Sequence, residues 1–438
     1  MTYQDALDYI HGRPRPQVRM DGHISLARFR QLMARLGDPQ KGLKIVHIAG
    51  SSGKGSTATL TEAVLRAAGY RTGLFVSPYV LDFRERIQLD GAMVGEDTLA
   101  AAVEALMPHV SAMEAEGVPC TEFDIVTALA LMIFRAQGVD IVCLEVGIGG
   151  LTDRTNVIDS PEVAAICSIS LEHTDILGST LAEIAAQKCG IIKPGCRVAA
   201  YGALPAEALT VLEDTCAHLD IKPHIADTRQ LELLAMDPDG SDFRCRGTDY
   251  RVSLAGEHQV MNALTALTIT DALRDAGWRI PMEAVRRGLA STHFVGRMQT
   301  VGERPRCIID GAHNPEKIDS LCRALDRLYP GRRLIAVMGM KADKDYLYCI
   351  PEIARRSAVF IAATPRQMPR ALPAAETARI ASAHCAEVHI RDSALEAGKL
   401  AIQLAGPDDL VLACGSLYII GEAREGFLDD KNRAAQPK

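Results

Sequence analysis

The chain holds no C-x-x-C pair and no cysteine spacing of the kind that binds zinc, although its 438 residues include 12 cysteines. Several of them (Cys143, Cys167, Cys307, Cys414) stand inside apolar runs, where a thiol behaves as a small core residue. That usage points to a reducing cytoplasm and away from a disulfide scaffold. No apolar run is long enough to cross a membrane. The N-terminus, MTYQDALDYIHGR, carries acids and lacks an apolar centre, so no secretory leader is expected in it. A basic excess is missing too. The net charge is −7, which leaves no positive field for nucleic acid, so an anionic substrate has to be held by local lysines and arginines. No internal repeat is visible, and no low-complexity segment beyond the polar tail DDKNRAAQPK. What remains is a globular composition, 48% hydrophobic and 24% charged, in a chain long enough for two domains.

The strongest local signal is Lys44 to Thr57, KIVHIAGSSGKGST. A β-branched run reads as a buried strand, breaks at Gly50, and passes through Ser51, Ser52, Gly53, Lys54, Gly55 and Ser56 into a helical pattern (Ala58, Leu60, Ala63, Val64, Leu65). Strand, glycine loop, helix is the layout that cradles phosphate on backbone N–H groups and a helix N-terminus. Lys54 would reach the outer phosphates and Ser56 a magnesium ion. The common G-x-x-x-x-G-K-[ST] spacing is not met: only two residues separate Gly50 from Gly53, and Gly55 intervenes before Ser56.

Other features follow in order. Residues 3 to 37 read as two helices around an arginine- and proline-containing loop, Gly12 to His23, which suits either a substrate loop or a solvated connector. The strand at Tyr70–Val76 ends at Ser77-Pro78-Tyr79, and Phe83–Gly91 reads as a strand and turn. Residues 96 to 116 are helical, and Thr121 is placed to cap a further helix at 125–137. A second buried strand, Val139 to Glu145, puts a carboxylate at its carboxyl end, with Gly147, Gly149 and Gly150 behind it. In nucleotide-binding proteins that position often holds magnesium; an exposed strand-end charge is the plain alternative. The next strand, 163–169, leads to Glu172-His173, where spacing alone leaves a structural and a ligand role open for His173. A helix at 181–188, capped by Thr180, carries Lys188, and an alternation of strand and helix is expected to continue to about residue 253. Gly256 to Asn262 opens another helix, whose first polar side chains suit either capping or reading a base edge. Near residue 295 the pattern starts afresh with Arg306–Ile309, Asp310-Gly311-Ala312-His313 and a helix. The expected fold is therefore α/β: a mostly parallel, P-loop-type domain over 1–295 and a smaller Rossmann-like α/β domain over 296–438. Polar turns after the strands should gather on one sheet edge, with the active site at the cleft between domains.

The segments HIAGSSGKGS, SPY, LEVGIGG with TDRTN, ISLEHTDILG, KCGIIKPG, GEHQVMNALTAL, GRMQ, DGAHNP, MKADKD and CGSLY occur in that order from about residue 44 to 422. Together they resemble the folylpolyglutamate synthase and dihydrofolate synthase family of the Mur ligase superfamily. The resemblance implies ATP-driven ligation of L-glutamate to a folate through an acyl phosphate, in a cytoplasmic and monomeric enzyme that uses ATP and Mg2+. The acceptor is either a tetrahydrofolate to be polyglutamylated or dihydropteroate, and one enzyme can serve both. The resemblance also implies roles: Ser51 to Ser56 around the triphosphate with Lys54 on its outer phosphates, and Asn262, Arg297 and Asp310 as ATP contacts. Ser77 and Glu145 would hold one magnesium and His173 a second, Lys188 would be carbamylated, and His313 would stand near the reaction centre. Glu122, Phe123, Asp124, Thr152, Asp153 and Arg154 would lie on the pterin side. Departures from the family pattern (Ser51-Ser52, Tyr79, Leu151, Glu172, Gln187, Val295) spare the phosphate and metal positions but touch the substrate side. A peptidoglycan-type ligase is disfavoured, because the residues before Lys44 are too few for its extra domain. A non-catalytic nucleotide-binding regulator would not need the whole set of motifs.

Overall fold

Apolar β-branched runs build two mainly parallel sheets, with helices on both faces of each. The computed structural model describes residues 1–14, 22–365 and 370–429. Most of the Gly12–His23 loop and the polar tail lie outside them. The first sheet contains β1 (Ile45–Ala49), β2 (Thr72–Phe75), β3 (Ile87–Leu89), β4 (Ala92–Met93), β5 (Ile141–Glu145), β6 (Val163–Ile166), β7 (Arg197–Ala200) and β8 (His224–Ile225), in the order β4-β3-β2-β5-β1-β6-β7-β8. β2, β5, β1, β6, β7 and β8 pair in parallel; β3 and β4 are antiparallel at one edge.

Successive residues of the central strand β1 face opposite ways, as the pleat requires. Val46 and Ile48 pack with the helices Lys54–Ala67, Glu257–Asp275 and Met282–Ala290. Ile45 packs on the other face with Glu96–Ala115 and Glu122–Gln137. Each such side chain, removed from water, contributes about 1.5–3 kcal/mol. Because both faces are covered, the strands read as continuous apolar runs.

The expected alternation to residue 253 does not hold. After β8 the chain forms an antiparallel meander, β9 (Leu231–Asp237), β10 (Gly240–Cys245) and β11 (Thr248–Val252). Its Phe243, Tyr250 and Val252 share one core with the helix Glu257–Asp275. The Phe83–Gly91 segment also differs: a short 3-10 turn, Phe83–Arg86, precedes the strand because Asp82 and Glu85 form a capping box.

The remaining strands are β12 (Gln299–Glu303), β13 (Arg306–Ile309), β14 (Leu334–Met338), β15 (Val359–Ala363), β16 (Glu387–Arg391) and β17 (Leu410–Cys414). They form one sheet in the order β12-β13-β17-β14-β15-β16, parallel except for β12. Among the described residues, no helix is long and apolar enough to cross a membrane.

Candidate active site

The carboxyl ends of β1, β5 and β6 lie side by side in the first sheet, where the strand order reverses, and that is where open α/β sheets bind ligands. The loop after β1 is pinned to the end of β6. Ser51 N–H donates to the Ser168 carbonyl at 2.7 Å, and Ser51 Oγ donates to the Ser170 carbonyl while accepting its N–H, each at 3.0 Å. Gly53 caps the following helix at φ +81° and offers no side chain to its first N–H groups, which leaves them for a ligand. A Cβ at Gly53 would meet Asn262 Oδ1 at 2.3 Å, so glycine is required there twice over.

A cavity opens over this loop. Its wall includes Ser51 to Ser56, Ser77, Glu145, Glu172, His173 and Asn262 from the first part of the chain, and Arg297, Asp310, His313 and Lys317 from the second. All the positions expected around the triphosphate therefore share one space with those expected from the second sheet. Lys54 Nζ folds back to donate to the Gly50 carbonyl at 2.9 Å. Asn262 donates from its amide to Gln259 Oε1 at 3.0 Å. Asp310 accepts the N–H groups of Met298 and Ala312, both at 2.8 Å; burial raises its pKa while Arg297 and those donors oppose the rise.

Glu145 is 5% exposed and accepts the Ser77 N–H at 2.8 Å. Burial raises its pKa, opposed by Lys54 and that N–H. With Ser56 and Ser77 beside it, this wall offers oxygen donors and a desolvated carboxylate, which suits magnesium. No three metal-binding side chains among the described residues stand close enough to hold an ion by themselves, so phosphate oxygens and water would complete the coordination. His173 has φ +46°, and burial lowers its pKa, which keeps the imidazole neutral and able to ligate.

Lys188 does not line the cavity. It is 1% exposed, one layer behind, and bonds Glu172 Oε1 at 2.8 Å. Burial first, then Lys54, lowers its pKa to about 8 against the pull of Glu172. Glu172 is pushed up by burial but ends below the usual value because Lys54 and Lys188 stand near.

The six residues expected on the pterin side do not line this cavity either. Phe123 and Asp153 sit behind its wall at Gly147, whose Cβ would meet Phe123 Cζ at 2.6 Å and Asp153 Oδ2 at 3.0 Å. Asp153 accepts the Ile148 and Thr155 N–H groups and so holds the loop. Asp124 joins a capping box with Thr121 and bonds Arg154 Nε at 2.8 Å. Glu122 lies within 3.8 Å of Arg86 and 3.7 Å of His11. Thr152 takes part in the turn before Arg154.

Sequence reasoning passed over two residues that the fold brings in. Glu316 reaches across from the second sheet's first helix to accept Ser170 Oγ at 2.9 Å and Ser52 Oγ at 3.2 Å. Lys317, its neighbour, lines the cavity itself. Both follow Pro315 at the start of a helix, where a lone charge gives no signal beyond helix chemistry.

Residues 48–270 match the Mur ligase middle domain, and residues 296–417 match the Mur ligase glutamate ligase domain. The dihydrofolate synthase/folylpolyglutamate synthase of Bacillus subtilis is 34% identical over 440 residues, covering 97% of this chain and 99% of its own length. A probable bifunctional folylpolyglutamate synthase/dihydropteroate synthase of Haloferax volcanii is 33% identical over 462 residues; this chain is covered completely but spans only 51% of that relative. The solved structure of Mycobacterium tuberculosis folylpolyglutamate synthase complexed with ADP and AMPPCP superposes with a TM-score of 0.86 at 29% identity, covering 98% of each chain. With both Mur ligase domains matched in order and a relative 34% identical over nearly its whole length, the chain belongs to the folylpolyglutamate synthase and dihydrofolate synthase family of Mur ligases.

Proposed function

We propose that the protein joins L-glutamate to a folate at the expense of ATP, extending a tetrahydrofolate glutamate chain. The observation that carries this reading is the shared cavity: a phosphate loop and a buried carboxylate on one side, and Arg297, Asp310 and His313 on the other. The second reading, ligation of dihydropteroate to L-glutamate by the same site, is favoured by the double name of the Bacillus subtilis relative.

The division of labour follows from the chemistry. A carboxylate is a poor electrophile, so its oxygen first attacks the γ-phosphorus of ATP, ADP departs, and an acyl phosphate remains. The amine of L-glutamate then attacks the acyl carbon, loses a proton and expels phosphate. The protein's part is positioning and charge neutralisation. The Ser51–Ser56 loop wraps the triphosphate, Lys54 swings from the Gly50 carbonyl to its outer phosphates, and Asn262, Arg297 and Asp310 hold the nucleotide. Magnesium would supply electrophilic charge at the phosphates, with Ser56, Ser77 and Glu145 as its holders and His173 at a second ion. Lys188, with its lowered pKa, is set to take up CO2 as a carbamate, an anion that orients a metal or the incoming amine. His313 stands at the reaction centre as a neutral imidazole, its Nδ1–H donated to the Gly311 carbonyl at 2.7 Å. Glu122, Phe123, Asp124, Thr152, Asp153 and Arg154 shape the pterin side, Phe123 and Asp153 from behind Gly147. The division is residues 1–295 for ATP and 296–438 for glutamate ligation. The twelve cysteines are buried thiols outside any disulfide, which supports a cytoplasmic setting, and the monomeric state rests on the family resemblance.

Mass spectrometry of reactions with ATP, magnesium, L-glutamate and either a tetrahydrofolate monoglutamate or dihydropteroate tests this. A glutamyl-extended tetrahydrofolate is expected. Extension of dihydropteroate alone would move the assignment to the second reading, and extension of neither would end both.

A further inference from the structure

One cation of the cavity has no duty in the scheme above. Lys317 stands in the first turn of the helix Pro315–Leu328, its backbone N–H bonded to the capping Asn314 at 3.0 Å. A positive charge at that end opposes the helix dipole. Among the described residues no carboxylate forms an ion pair with it. The nearby Glu316 accepts from serines of the first domain, and Glu172 is engaged by Lys188. The bond it does make is with His313 Nε2, at 3.5 Å. Because the His313 Nδ1–H is given to the Gly311 carbonyl, Nε2 keeps its lone pair and accepts from the lysine. Burial, then Lys54, then Arg297 bring the Lys317 pKa down to about 8. Lys54 comes from the phosphate loop, Lys317 from the second sheet's first helix, and both line one cavity with Arg297. Cations gathered this way raise each other's energy while the site is empty and are relieved when an anion enters.

We propose that Lys317 is a phosphoryl-binding residue of the ligase reaction, holding the outer phosphate of ATP from the side opposite Lys54, with its direction fixed by His313 Nε2. The assignment rests on the ligase reading. As the acceptor carboxylate oxygen bonds to the γ-phosphorus, the bond from that phosphorus to the bridging oxygen breaks and its electron pair leaves with ADP. The non-bridging oxygens stay charged throughout, and Lys317 donates to them without giving up a proton. It then attends the same phosphate as the glutamate amine displaces it. Lys317 belongs to the second domain, so both domains contribute cations to the one phosphate.

Calorimetry with ADP and with AMPPCP, on the wild type, Lys317→Gln and Lys317→Arg, reads the assignment directly. Lys317→Gln should bind ADP like the wild type but AMPPCP roughly tenfold more weakly. It should also lose roughly 100-fold in kcat at saturating ATP, with Lys317→Arg recovering most of both. Unchanged AMPPCP affinity, or equal loss for ADP and AMPPCP, would overturn the assignment. A wild type that prefers AMPPCP through Lys317 yet makes no glutamyl product would instead overturn the ligase reading alone.

Discussion

At the scale of residues, the site is a balance of buried charges set against one another. Lys188 shows the consequence most plainly. Its amine is neutral above a pKa of about 8 and charged below it, against 10.5 for an unperturbed lysine. Carbamate formation bonds the neutral amine nitrogen to the carbon of CO2 and releases a proton, so it should rise with pH as the amine deprotonates. With 13C-labelled bicarbonate, a carbamate resonance absent from Lys188→Arg should grow between pH 7 and 9, centred near 8. A resonance that appears only as pH approaches 10.5 would show that the lysine is not perturbed. The modification also turns the Lys188–Glu172 pair from opposite charges into two anions, so magnesium should strengthen the signal.

At the scale of elements, what could be read from the chain was whatever local chemistry dictates. Thr121 illustrates it: its hydroxyl accepts the Asp124 N–H while Asp124 accepts the Thr121 N–H at 2.8 Å, starting the helix Glu122–Gln137. Thr121→Ala should lower stability in urea unfolding by about 1 kcal/mol; an unchanged midpoint would mean that packing alone starts this helix. The strand, loop and helix around Gly53 were equally legible, because a β-branched run and a glycine loop need no distant partner. The antiparallel meander β9–β11 was not. Its edge strand exposes alternate residues, and its order depends on packing against the helix Glu257–Asp275, which lies later in the chain. Glu316 and Lys317 were hidden for the same reason: a charge in the first turn of a helix looks like surface until the fold shows which wall that turn faces. Asp124 was singled out for a substrate contact, and its bond to Arg154, which comes from a later turn, could not be told from spacing.

At the scale of the whole molecule, two sheets meet with the carboxyl ends of their strands on one cavity. The contacts between them include polar ones, Glu316 with Ser52 and Ser170 and Arg327 with Glu257 at 2.5 Å, beside apolar ones in which Val80 and Ala255 pack on the second sheet's cores. Polar interdomain contacts of this kind are compatible with relative motion. An acyl phosphate made and consumed in one cavity requires nucleotide, acceptor and amino acid to be present together before phosphate is released. That requirement is tested most directly by measuring phosphate release from ATP with each co-substrate omitted in turn. Release should require both the pteroyl acceptor and L-glutamate, falling to background without either. Equal release with either one missing would contradict the account.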